Sequence, residues 1–79
     1  MEIEIVIPAI AGNPTDLYLA QWLASVGDDV QAGEPVLLVE ADKAQVEISS
    51  PASGRLARID AESDEALVVG QVVALIECP

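Results

Sequence analysis

The 79-residue chain has no histidine, no phenylalanine, a single cysteine and a single lysine. Each shortage closes off a class of function. Without histidine, Cys78 cannot belong to a Cys–His nucleophile pair. One cysteine also rules out a disulfide framework, and it fits a reducing compartment. Three basic residues stand against fourteen acidic ones, for a formal charge of −11. That balance argues against nucleic acid, where Lys and Arg must neutralise phosphates, and against an anionic membrane surface. No apolar run approaches the roughly 20 residues of a membrane span. The N-terminus lacks the basic segment and long apolar stretch of a signal peptide.

What remains is aliphatic. Val, Leu, Ile and Ala supply the core, with one Trp and one Tyr. A chain of this length buries only about 60% of its unfolded surface, so one domain over residues 1–79 with an economical core is expected. The pattern reads as β throughout. Glu2 to Ile7, Gln45 to Ser49 and Arg55 to Asp60 alternate polar and apolar residues; Val36–Val39 and Val72–Ile76 are continuous apolar runs of strand length. Pro8, Gly12, Pro14, Gly27, Gly33, Pro51, Gly54 and Gly70 fall between the runs, where the four later glycines are expected to serve turns. Leu17–Val26 comes nearest to a helical period, yet it also fits alternation.

The halves repeat one another. Glu4-Ile5 and Pro8-Ala9 match Glu47-Ile48 and Pro51-Ala52, forty-three residues on. From Leu19-Ala20 and Leu56-Ala57 the offset becomes thirty-seven, and it holds through Val30/Leu67, Gly33/Gly70, Val36/Val73, Leu38/Leu75, Val39/Ile76 and Glu40/Glu77. The first half therefore carries extra residues around Ala11–Asp16. A two-fold repeat of strands predicts two equivalent sheets packed face to face around one core. It also places the only lysine. Lys43 lies in the polar break Ala41-Asp42-Lys43-Ala44, at the hairpin joining the two half-motifs, with both termini expected at the other end.

Val26-Gly-Asp-Asp-Val30, Gly33-Glu-Pro-Val36, Val39-Glu-Ala-Asp-Lys-Ala44 and Ser50-Pro-Ala-Ser-Gly54 together resemble the lipoyl domain of 2-oxo acid dehydrogenase complexes, over Ile3 to Glu77. The resemblance implies an all-β fold, a flattened barrel of two four-stranded antiparallel sheets with internal two-fold pseudo-symmetry. It implies that Lys43 carries lipoic acid in amide linkage, as a swinging arm. The implied partners are a thiamine-diphosphate-dependent 2-oxo acid dehydrogenase, an acyltransferase core that passes the acyl group to coenzyme A, a flavin-dependent dihydrolipoamide dehydrogenase, and a lipoate-attaching enzyme. The domain is then a non-catalytic monomeric carrier, its parent a dihydrolipoamide acyltransferase or a lipoyl-bearing dihydrolipoamide dehydrogenase. Ala41 stands where the family commonly has Thr, Ser or Gly.

Beside Lys43, the resemblance implies that Asp42 and Ala44 are read by the attaching enzyme, although both also suit a tight turn. Glu40 and Glu47 add negative charge near the site or are simply exposed strand residues. The extra segment Ala11-Gly12-Asn13-Pro14-Thr15-Asp16 is the candidate for partner recognition, since the family's corresponding loop lies beside the hairpin; a tolerated surface insertion is the plainer account. Trp22 is expected in or at the core.

Three other functions compete. A biotin carrier shares the implied fold, but that family typically flanks its lysine with methionines, and the only methionine here is Met1. A glycine-cleavage carrier is usually longer, with added helices. An unmodified β-barrel interaction module, with Lys43 incidental, is the reading from a different class.

Overall fold

Alternating sequence becomes strand where every second side chain can be buried, as over Leu17–Trp22 and Ala44–Ser49, while the continuous apolar runs become strands in which successive residues are buried. A computed structural model describes residues 1–9, 16–42 and 44–79. All its regular structure is strand: β1 (Glu2–Val6), β2 (Leu17–Trp22), β3 (Asp29–Val30), β4 (Pro35–Ala41), β5 (Ala44–Ser49), β6 (Gly54–Ile59), β7 (Ala66–Leu67) and β8 (Val72–Glu77). They form two four-stranded antiparallel sheets, ordered β1-β8-β6-β3 and β5-β4-β2-β7. The window with a near-helical period is resolved in favour of alternation: Leu17 and Leu19 are buried while Tyr18 between them is exposed. Leu19, Val36, Leu37, Val39, Leu56, Val73 and Ile76 form the closed centre of the core. Trp22 is half-buried against it and satisfies its indole N–H on the Ala61 carbonyl, 2.9 Å away.

The repeat is a two-fold axis in three dimensions. It carries β1 onto β5, β2 onto β6, β3 onto β7 and β4 onto β8, and the pairings correspond residue by residue. Ile5 faces Ala74 as Ile48 faces Leu37, and Leu17 faces Leu67 as Gly54 faces Val30. Even the bulges correspond: β2 skips register between Leu19 and Gln21, and β6 between Leu56 and Arg58. The same operation takes the Ala41–Ala44 pair at the hairpin onto Cys78 and Met1, whose backbones exchange hydrogen bonds of 2.7 and 3.1 Å. The termini meet, as the repeat requires.

The Ser50-Pro-Ala-Ser-Gly54 step is structural. Ser50 exchanges backbone bonds with Gly33 and Glu34, and its buried hydroxyl donates to the Ala52 carbonyl at 2.6 Å. The Ser53 hydroxyl accepts the Ala32 N–H at 2.9 Å. The bonds to Ala32, Gly33 and Glu34 tie the step to the turn before β4.

Of the four glycines expected to serve turns, Gly27, Gly33 and Gly70 do have positive φ, but Gly54 does not. Gly54 opens β6, and its reason is space: a Cβ there would run into the Glu77 carbonyl and come within 2.9 Å of Ile76 Cγ2. The two-fold also exposes a mismatch. Gly27 (φ +97°) corresponds to Asp64 (φ +69°), so one half meets the left-handed requirement with glycine and the other with aspartate. A left-handed L-residue costs on the order of 1 kcal/mol, somewhat less for Asp. Asp64→Gly is therefore expected to leave stability unchanged or raise it by a few tenths of a kcal/mol, and Asp64→Val to lower it by about 1 kcal/mol or more, as read by urea denaturation.

Candidate functional site

The β4–β5 hairpin is registered along six residue pairs from Pro35–Ser49 to Ala41–Ala44, leaving two residues to turn the chain. Asp42 is the first, with φ +45°. Positive φ at the first position is what the tight primed hairpin turns demand, because their twist matches that of the strands. Asp is among the few residues with a side chain that tolerate it. Lys43 is the second by chain order and lies outside the described residues, as do Ala11, Gly12, Asn13, Pro14 and Thr15.

Around that turn, Glu40, Asp42, Ala44 and Glu47 are all exposed, while Ala41 points into the core. Glu47 pairs across the sheet with Leu38. Asp16 is exposed immediately before β2. The fold brings three of these residues together: among the described residues, Asp16, Glu40 and Asp42 line one open groove beside the hairpin, together with Tyr18. Glu47 is not part of it. Tyr18 sits opposite Glu40 on β4 and Ala66 on β7. Sequence reasoning passed over Tyr18, although a signal was present. At the repeat's offset of thirty-seven its counterpart is Arg55, a chemically unrelated residue inside otherwise matching halves.

The described flanks of the turn are exposed and small or acidic, and the two strands stay paired up to Ala41 and Ala44. The chain's two arginines, Arg55 and Arg58, both lie on β6 in the other sheet, where they pair with Glu77 at 3.9 Å and Asp60 at 2.8 Å. The hydrogen bond and charge of Asp60 raise the Arg58 pKa above its ordinary value, with Glu2 and Glu4 adding to the effect.

The biotin/lipoyl family model, described as "Biotin-requiring enzyme", matches residues 3–76. The dihydrolipoyllysine-residue acetyltransferase component of the pyruvate dehydrogenase complex of Corynebacterium glutamicum is 41% identical over 76 residues, covering 96% of this chain and 11% of that protein. The succinyltransferase component of the 2-oxoglutarate dehydrogenase complex of Staphylococcus saprophyticus is 36% identical over 73 residues, covering 92% and 17%. The chain is a lipoyl domain of the biotin/lipoyl family.

The lipoyl domain spans less than a fifth of the length of either relative. In fold it is similar to the lipoyl domain of the 2-oxoglutarate dehydrogenase complex of Azotobacter vinelandii, with TM-score 0.75 and 24% identity over 95% of each chain. It is equally a match in fold to part of the urea carboxylase of Kluyveromyces lactis, with TM-score 0.83 and 23% identity over 98% of this chain and 6% of that one. The expected architecture of two four-stranded antiparallel sheets is the one observed.

Proposed function

We propose that residues 1–79 form one carrier domain in which Lys43 bears lipoic acid in amide linkage. The observation that supports this best is the closure of β4 onto β5 at Ala41–Ala44, which leaves the only lysine of the chain in a two-residue turn headed by a left-handed Asp42. When bound, lipoic acid supplies a dithiolane that accepts electrons and an acyl group together. The protein's own part is positional. Asp42 sets the turn, Ala44 adds no bulk beside the attachment point, and the paired strands hold the turn away from the core. Asp42 and Ala44 are the residues the attaching enzyme reads; Glu40 and Glu47 keep the approach acidic. The segment from Ala11 to Asp16 serves partner recognition.

No acid, base or nucleophile of this chain is needed for acyl transfer. A tethered domain contributes effective concentration, turning successive encounters with separate enzymes into near-intramolecular events. The partners in this reading are a thiamine-diphosphate-dependent 2-oxo acid dehydrogenase, an acyltransferase core, dihydrolipoamide dehydrogenase and the lipoate-attaching enzyme. The parent is an acyltransferase component. No helix in the described residues is long and apolar enough to cross a membrane; the proposed location is the bacterial cytoplasm or the mitochondrial matrix.

A biotin carrier is the second reading, favoured by the family's description. Against it stand the flanks of Lys43, Asp and Ala where biotin carriers typically have Met, and the two acyltransferase relatives. Intact mass separates them. With lipoate, ATP and a lipoate ligase the chain is expected to gain one lipoyl increment; with biotin, ATP and a biotin ligase it is expected to gain nothing. The reverse pattern makes it a biotin carrier, and no gain from either active ligase makes it an unmodified module.

A further inference from the structure

The two-fold supplies an internal comparison for surface function, because it sets exposed positions of one sheet beside positions paired in the same way on the other. On the outer face of β5-β4-β2-β7 the register aligns Ala66, Tyr18, Glu40 and Gln45 in one row, and Gln21, Leu38 and Glu47 in the next. The corresponding rows of β1-β8-β6-β3 are Asp29, Arg55, Glu77 and Glu2, then Arg58, Leu75 and Glu4. Leu38 and Leu75 are conserved between the halves, as are the flanking glutamates. The residues of β2 and β6 are not: Tyr18 and Gln21 stand where the other sheet has Arg55 and Arg58. The second face therefore answers its own carboxylates with its own guanidinium groups. The first holds the carboxylates of Glu40 and Glu47, rimmed by Asp16 and Asp42, with an exposed phenol in place of the cation.

We infer that the outer face of β5-β4-β2-β7, centred on Tyr18 and Glu40, is a docking surface for a basic protein partner that brings an arginine to this position. The other sheet already displays the contact, since Arg55 lies 3.9 Å from Glu77 at the place related by the two-fold to Tyr18 and Glu40. An arginine arriving from outside finds the same carboxylate together with an aromatic face. A planar guanidinium suits both, stacking on the ring while pairing with Glu40. Tyr18 is an economical anchor: it is large, it has few rotatable bonds, and as a strand residue it is already held in place. The groove beside the hairpin shares Tyr18 and Glu40 with this face and extends it to Asp16 and Asp42. This deepens the carrier reading by naming which of two equivalent sheets a partner engages and with what chemistry.

The test uses the unmodified full chain and an alternating Arg-Leu peptide as probe, followed by backbone amide NMR shifts at moderate salt. The expected result is that shifts cluster on β2, β4, β5 and β7. The double variant Tyr18→Arg with Gln21→Arg, which copies the other sheet, should weaken binding at least about tenfold. The reciprocal variant, Arg55→Tyr with Arg58→Gln, should acquire binding on β6 and β8. The positions exchanged are exposed and each already occurs in the equivalent environment, so folding is retained; circular dichroism checks it. Shifts spread equally over both sheets overturn the inference, because they reveal attraction to net charge alone, and so does the absence of binding or of any effect of the exchange. Ligase-dependent mass gain is read separately, so loss of the docking result leaves the carrier reading standing, and the converse also holds.

Discussion

Lys43→Arg is expected to gain no mass from lipoate, ATP and a lipoate ligase under conditions where the wild-type chain gains one lipoyl group. The change keeps charge and approximate length, so it isolates the amine. A guanidinium is protonated at every accessible pH and does not become the free nucleophile that amide formation requires. No second lysine is available to take over. Stability should stay within about 0.5 kcal/mol of wild type, as for other surface substitutions away from special features. Unchanged thermal unfolding with abolished mass gain is the expected pair of results. Loss of the fold would place the residue in the structure's support; retained mass gain would move the attachment to the N-terminal amine. Inserting one glycine after Asp42 tests the support itself, since it breaks the two-residue turn without touching the lysine, and it should slow modification well before it affects folding.

Gly54→Ala is expected to be the most damaging Gly→Ala change among the described glycines. The new Cβ would meet the backbone carbonyl of Glu77 and the Ile76 methyl carbon. A carbonyl on a central strand cannot swing aside as a side-chain tip can, so β6 and β8 must separate or β6 must slide. Forced overpacking of this sort costs about 1–3 kcal/mol. In a domain of this size each kcal/mol lowers the melting temperature by roughly 4–8 °C, so thermal unfolding should show a clear drop. Gly54→Val should do worse. Gly33→Ala is the instructive control. Its Cβ would meet nothing within 4 Å, and its penalty comes from the left-handed backbone alone. If Gly54→Ala is as mild as a surface change, the close approach of β8 is not what selects glycine there.

The contrast between those glycines shows where sequence reading succeeded and where it stopped. Matched pairs such as Val36/Val73 and Glu40/Glu77 were enough to anticipate the two-sheet architecture, since each marks the same place in two strands that proved to be central, with Gly33/Gly70 in the turns that precede them. The change of offset near Ala11–Asp16 marked where the halves differ in length. Lys43 stands out in the sequence because it is the only lysine, and it lies outside the described residues. Gly54 was misassigned because a glycine needed for clearance and a glycine needed for φ look identical in a string of letters. Only the position of the neighbouring strand separates them. The bulges after Leu19 and Leu56 left no mark either, since the extra residue in each case is an ordinary Ala. Tyr18 was hidden for another reason: its importance is comparative, emerging once it is known to share a location with Arg55.

The pairing of Met1 with Cys78 has a mechanical corollary. Tension applied between the two ends acts across β1 and β8 and opens their backbone bonds one after another, as a zip opens, so each bond meets the load alone. Tension between Asp42 and either end runs instead from one sheet into the other. It drags strands lengthwise, and many bonds must yield together. The same domain is thus compliant when pulled by its own ends and stiff when pulled by its tip.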